Sequence, residues 1–169
     1  MTSRASRSAP APAPGPAPRG TGAADLPTVA VLWIRPAPGA PPVPQDALEL
    51  VEGKGVVGDH AFGGERHLTL IFEDDWNAAA AELGRTVDPA GRRANVMLSG
   101  SRGQRLVGRT VRLGPARLAV HGITRPCEIM ERAAPGMQAA LEPDGRAGVW
   151  GTVIEGGRLQ PGDVLTVED

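Results

Sequence analysis

Cysteine occurs once in this chain, at Cys127, and tyrosine not at all. A single thiol cannot close an internal disulfide or build a cysteine-only zinc site, and it does not fit a secreted disulfide scaffold. A reducing, cytoplasmic setting is therefore the expectation. Long apolar runs are missing too. No window approaches the roughly 20 apolar residues of a membrane-spanning helix, and no apolar stretch follows the basic start as it would in a secretory signal. Lysine is confined to Lys54, so arginine supplies the positive charge, and the net charge of -1 predicts no general affinity for nucleic acid or an anionic membrane. What remains, 169 residues that are 41% hydrophobic and 22% charged, is the balance of one globular domain.

Glycine and proline, by contrast, are abundant, with 23 and 17 copies. Residues 1–26 combine Arg4, Arg7 and Arg19 with an alternating Ala-Pro tract from Ala9 to Pro18 and contain one acid, Asp25. Proline at every second position removes backbone donors and favours extended polyproline geometry, so this arm is expected to be disordered. Residues 27–169 are expected to form the single folded domain.

Within that domain, β-rich segments are short and bounded by glycine or proline. Strands are expected at Thr28–Ile34, Ala47–Val51, His67–Phe72, Asn95–Leu98, Thr110–Leu113, Arg117–Val120, Val149–Ile154 and Val164–Val167. Glu73–Leu83, with acids first and an alanine run after, is the clearest helix, and Gly84 stops it. Many short strands with little helix between them argue for a mainly β fold, a closed barrel or a sandwich, over a doubly wound sheet.

Several segments carry chemistry. Gly53-Lys-Gly-Val-Val-Gly58 matches the dinucleotide pattern G-x-G-x-x-G, but the helix that should follow is replaced by Asp59-His-Ala-Phe-Gly-Gly64. The segment reads instead as a loop that exposes its backbone, as ligand-binding loops do, which makes Gly58 and Asp59 candidates. Cys127 follows Arg125-Pro126. Proline suits the first position of a helix, so Arg125 would cap it and Cys127 would lie in the first turn, where free amides, the helix dipole and the Arg125 guanidinium favour thiolate. Such a cysteine suits nucleophilic attack, a persulfide or a soft metal, while the plain alternative is a buried structural cysteine. Arg92-Arg93-Ala-Asn95 offers two phosphate-matching forks and a carboxamide, and Arg66, beside His67, is comparable. His60, His67 and His121 fit no zinc-binding spacing, so a zinc enzyme is not expected.

In order, Gly55-Val-Val-Gly-Asp59, Arg66-His67-Leu-Thr-Leu-Ile-Phe-Glu73, Arg92-Arg-Ala-Asn-Val-Met-Leu-Ser-Gly100, Leu106-Val-Gly108, Arg125-Pro-Cys127, Gly148-Val-Trp-Gly-Thr-Val-Ile154 and Gly162-Asp163 resemble the MOSC domain, the family named for the C-terminal domain of molybdenum cofactor sulfurases. The resemblance covers about residues 28–168 and implies a β-barrel fold and a molybdenum-pterin ligand. It implies that Cys127 is either a molybdenum ligand, in members that reduce N-hydroxylated compounds, or a persulfide carrier in cofactor sulfuration. It also maps the pterin-phosphate site onto Arg92, Arg93 and Asn95, with Arg66 beside them. Pyridoxal phosphate, associated with the family through its separate desulfurase domain, would belong to a partner cysteine desulfurase. A reductase would need an electron-donor protein. One departure stands out, since many relatives have arginine after Gly-Asp where this chain has His60. The rival reading is a non-catalytic barrel that binds a pterin, a phosphate compound or a protein, with Cys127 buried.

Overall fold

A computed structural model describes residues 26–100 and 103–168; residues 1–25, the bulk of the expected arm, lie outside the described residues. The glycine- and proline-punctuated segments form eleven short strands: β1 Val29–Ile34, β2 Val43–Gln45, β3 Leu48–Val51, β4 Gly55–Val56, β5 Leu68–Phe72, β6 Val96–Leu98, β7 Thr110–Leu113, β8 Ala116–Ile123, β9 Val149–Glu155, β10 Gly157–Leu159 and β11 Leu165–Val167. Among the described residues three α-helices accompany them, α1 Glu73–Glu82, α2 Glu128–Ala133 and α3 Met137–Leu141. The expected mainly β character holds. Three strands were not foreseen. β2 carries Pro44, which an edge strand tolerates because its N–H side needs no partner, and β4 and β10 begin at glycine.

Eight strands form one mixed sheet in the order β11-β7-β8-β9-β5-β6-β1-β2, and β10-β3-β4 form a second. The β5–β6 pair is parallel and its neighbours are antiparallel. A parallel pair needs a crossover, which α1 and the turn Pro89–Arg92 supply. The expected closed barrel is not formed, because the large sheet keeps two edges, β11 and β2. An isolated bridge, Thr28 to Val164, brings the start of β1 to β11, but the other end of β1 pairs with β2. The outer edge of β1 is thus divided, and no continuous ladder closes the sheet.

Alternation along the strands sorts side chains to two faces. One face buries a core that includes Leu32, Leu68, Leu70, Val96, Leu118 and Val149. A second cluster packs Trp76 and Ala79 of α1 against Met130, Met137 and Leu141 of α2 and α3. The acidic start of α1 complements its dipole, and Trp76 Nε1 donates to the Val87 carbonyl at 2.8 Å.

Candidate functional site

The β5–β6 crossover, the end of β1 and the segment entering α2 meet around a cavity of about 340 Å³. Five arginines line it, Arg35, Arg66, Arg92, Arg93 and Arg125, together with Cys127 and His60. Segments more than 90 residues apart in sequence thus converge on one surface, and four of the five arginines were sequence candidates.

Arg35 was not a candidate, yet it is the best anchored. It leaves the end of β1, and its Nε and Nη2 donate to Asp59 Oδ2 and Oδ1, each at 3.0 Å. The same carboxylate accepts the amides of Arg35 and Ala61, each at 3.1 Å, and Asn95 Nδ2 at 2.9 Å. Asn95 is itself fixed, since its Oδ1 accepts the Thr69 amide at 3.1 Å. Burial would raise the Asp59 carboxyl, but the bonds from Arg35 and the Ala61 amide, the Arg35 charge and the Asn95 bond outweigh it and hold it below the usual carboxylate range. Asp59 and Asn95 are both buried and do not line the cavity. Their place is beneath it, holding Arg35.

Arg92 is tethered by Nε to the Ala147 carbonyl at 2.9 Å. Burial pulls its guanidinium below the ordinary value, Cys127 works against that shift and the neighbouring Arg35 charge adds to it. Arg93 sits in the left-handed region, φ 60°, as the C-cap of the Pro89–Arg92 turn, a conformation uncommon outside glycine. Its Nη2 donates to the Ala37 carbonyl at 3.1 Å, while its Nε is buried with no acceptor. A buried donor without a partner costs free energy that an oxyanion in the cavity would recover.

Cys127 is exposed at the cavity. It is the N-cap of α2 rather than part of its first turn, with extended φ −114° and ψ 173°, and the helix starts at Glu128. The shift of the cap by two residues leaves Arg125 outside the cap position. The exposure of Cys127 removes the buried-cysteine alternative. The segment is set by Gly148, whose φ of +102° favours glycine, whose carbonyl accepts the Thr124 amide at 2.9 Å, and whose Cβ, if present, would run into the Leu70 carbonyl.

Two further sequence candidates, besides Asp59 and Asn95, do not reach the cavity. His67 is buried, its Nδ1 accepting the Val153 amide at 2.9 Å, and burial lowers its basicity. It splices β5 to β9. Gly58 is exposed, with Ile34 Cδ1 the one neighbour a Cβ would meet. His60 does line the cavity, and its amide donates to the Arg35 carbonyl at 2.8 Å.

Among the described residues, Asp59 is the one carboxylate bonded to any of the five arginines, so four guanidiniums stand unopposed. No group of three His, Cys, Asp or Glu side chains able to hold a metal ion occurs among the described residues. Chemically, a cavity so lined can attract an anion, and it carries one exposed thiol at its edge.

Over this mixed β fold, the MOSC domain model matches residues 57–166. The chain belongs to that family. Solved structures share its fold: the YuaD protein from Bacillus subtilis, 21% identical with a TM-score of 0.71, covers 83% of this chain and 94% of its own. YiiM from Geobacillus stearothermophilus is 15% identical, with a TM-score of 0.67 and coverage of 85% and 75%. YiiM from Escherichia coli is 20% identical, with a TM-score of 0.63 and coverage of 84% and 70%. A comparison with curated proteins gives no match. No helix among the described residues is long and apolar enough to cross a membrane.

Proposed function

We propose that this cavity holds the molybdenum cofactor, with Cys127 as a thiolate ligand to molybdenum. The observation that carries the reading is one exposed thiol beside four unopposed guanidiniums in a single cavity. The donor set fits the group. A metal held by one protein side chain must arrive with ligands of its own, as a metal bound to a pterin does. The anionic part of such a cofactor needs bidentate donors, which Arg92 and Arg93 provide, and the acceptor-less Arg93 Nε gains a partner. Arg35, locked by Asp59 and Asn95, presents a fixed positive charge to the same space. The bound cofactor would supply two-electron chemistry at the metal, suited to reducing N-hydroxylated compounds in the cytoplasm with electrons from a partner protein. The chain's own arginines would bind the anionic part of the cofactor, and Cys127 would offer its thiolate to the metal.

The exposure of Cys127 favours one other reading, a persulfide carrier. Its thiolate would attack the outer sulfur of a desulfurase persulfide, forming a Cys127 persulfide and releasing the desulfurase cysteine as thiolate. Pyridoxal phosphate would then reside in that partner.

The test is to purify wild type and Cys127→Ser from cells that make the cofactor and to measure molybdenum and pterin per mole of protein. The ligand role predicts both in the wild type and loss of molybdenum in the variant. Equal metal in the two proteins rejects it. Transfer of labelled sulfur from a desulfurase to wild type but not to Cys127→Ser would select the carrier role.

A further inference from the structure

Arg66 lies at the cavity wall with no carboxylate or hydrogen-bond acceptor among the described residues. Its guanidinium carbon lies 4.9 Å from the Trp150 ring centroid, an aromatic contact. The sheet puts Trp150 there. Thr69 of β5, Trp150 of β9 and Gly122 of β8 are direct cross-strand partners, so they share a face, and Thr69 lines the cavity. A bulge in β8 sets both His121 and Gly122 opposite Trp150. Gly122 leaves room for the indole, since a Cβ there would stand 3.0 Å from Trp150 Nε1. The His121 ring stacks on Trp150 at 4.9 Å between centroids and 27° between planes, and its Nε2 bonds Thr152 Oγ1 at 2.8 Å. Thr152 and His121 therefore brace Trp150, and Trp150 supports Arg66.

An arginine held over an aromatic ring by cation–π attraction spends none of its N–H donors on that contact, which leaves its fork available to a carboxylate or phosphate oxygen pair. We propose that Trp150 is a positioning residue that holds Arg66 as a second oxyanion subsite beside the deeper Arg35–Arg92–Arg93 cluster, for the carboxylate or phosphate group of a substrate reacting near Cys127. Binding of an oxyanion at Arg66 does not depend on the cofactor; its assignment to a substrate rests on the proposed function. The two can fail separately, because the subsite is read in cofactor-free protein.

The experiment titrates cofactor-free protein with inorganic phosphate and, in a separate arm, with acetate, for wild type, Arg66→Ala, Trp150→Leu, Trp150→Phe and Arg66→Ala/Trp150→Leu. Melting curves confirm that each variant is folded. Arg66→Ala is expected to weaken the preferred anion roughly ten-fold or more, the worth of a charge-assisted bond. Trp150→Leu is expected to weaken it roughly three- to five-fold, the worth of an exposed cation–π contact, with Trp150→Phe between. In the Arg66→Ala background the Trp150→Leu effect should vanish, which a merely structural role would not produce. Trp33 and Trp76 are 3% and 2% exposed, so iodide quenching reads the half-buried Trp150, and the bound anion should reduce that quenching in wild type. The stronger of the two arms names the anion. Failure of both anions to bind wild type, or a Trp150→Leu effect equal with and without Arg66, would overturn the proposal. A protein that binds phosphate through Arg66 but carries no molybdenum or pterin would instead sink the cofactor reading alone.

Discussion

Removing the Asp59 carboxylate separates two physical accounts of the cavity, because they predict opposite signs. Asp59→Ala takes away an acceptor that is 4% exposed and serves the Arg35 guanidinium, two backbone amides and the Asn95 amide. Breaking a buried pair by deleting one partner costs about 3–5 kcal/mol. The Arg35 side chain is 15% exposed, so water partly resolvates it, and about 3 kcal/mol is the expected loss. For a domain of this size that lowers Tm by about 6–12 °C. The variant also makes the cavity more positive. If anions are held by charge alone, phosphate should bind more tightly; if Asp59 and Asn95 act by fixing Arg35, it should bind more weakly despite the added charge. Differential scanning calorimetry and phosphate titration of folded protein read both quantities. A Tm within about 2 °C of wild type, or tighter phosphate binding, would refute the positioning role. The acid limb gives a further check. The folded-state pKa of Asp59 is depressed, so its stabilisation is present at neutral pH and is lost as pH falls through the folded value. The gap between wild type and Asp59→Ala should therefore narrow below about pH 4.

His67 should titrate the other way around from a salt-bridged histidine. Burial lowers its folded pKa, so the unfolded chain binds the proton first and stability falls as pH drops below about 6.5, by at most about 1.4 kcal/mol per pH unit. Urea unfolding at pH 8 and pH 5.5 should show this loss in wild type and a smaller one in His67→Gln; equal losses would show that His67 is not held neutral. Gly148→Ala combines a φ of +102° with a clash against Leu70, and at least about 2 kcal/mol of stability should be lost together with cofactor retention, since the Thr124 segment leading to Cys127 hangs from the same residue. A variant that melts like wild type would contradict that account.

Strand positions were largely legible because each apolar segment is bounded by glycine or proline. β7, Thr110–Leu113, and α1 after Phe72 begin where local pattern puts them. Closure was not legible, since whether β1 meets β11 along a full ladder depends on how its outer edge is shared with β2, a pairing between distant residues. In the site, Arg92, Arg93 and Cys127 stood out by local chemistry. Arg35 did not, because an arginine between Ile34 and Pro36 looks like any strand end until Asp59 and Asn95 arrive from elsewhere to hold it. His67 misled for the matching reason, as its sequence neighbour Arg66 faces the cavity while alternation turns His67 inward. Trp150 was part of a strand motif, and its contact with Arg66 comes from the β5–β9 register.

The central claim is that the arginine cavity and Cys127 together hold an anionic molybdenum–pterin group. Native mass spectrometry of the protein purified from cofactor-producing cells tests it most directly. The account predicts a ligand-bound species whose released ligand contains molybdenum, pterin and phosphorus, and its loss in Arg92→Ala/Arg93→Ala that still melts cooperatively. Wild-type protein that emerges ligand-free from such cells, or that carries a ligand without molybdenum and phosphorus, would contradict it.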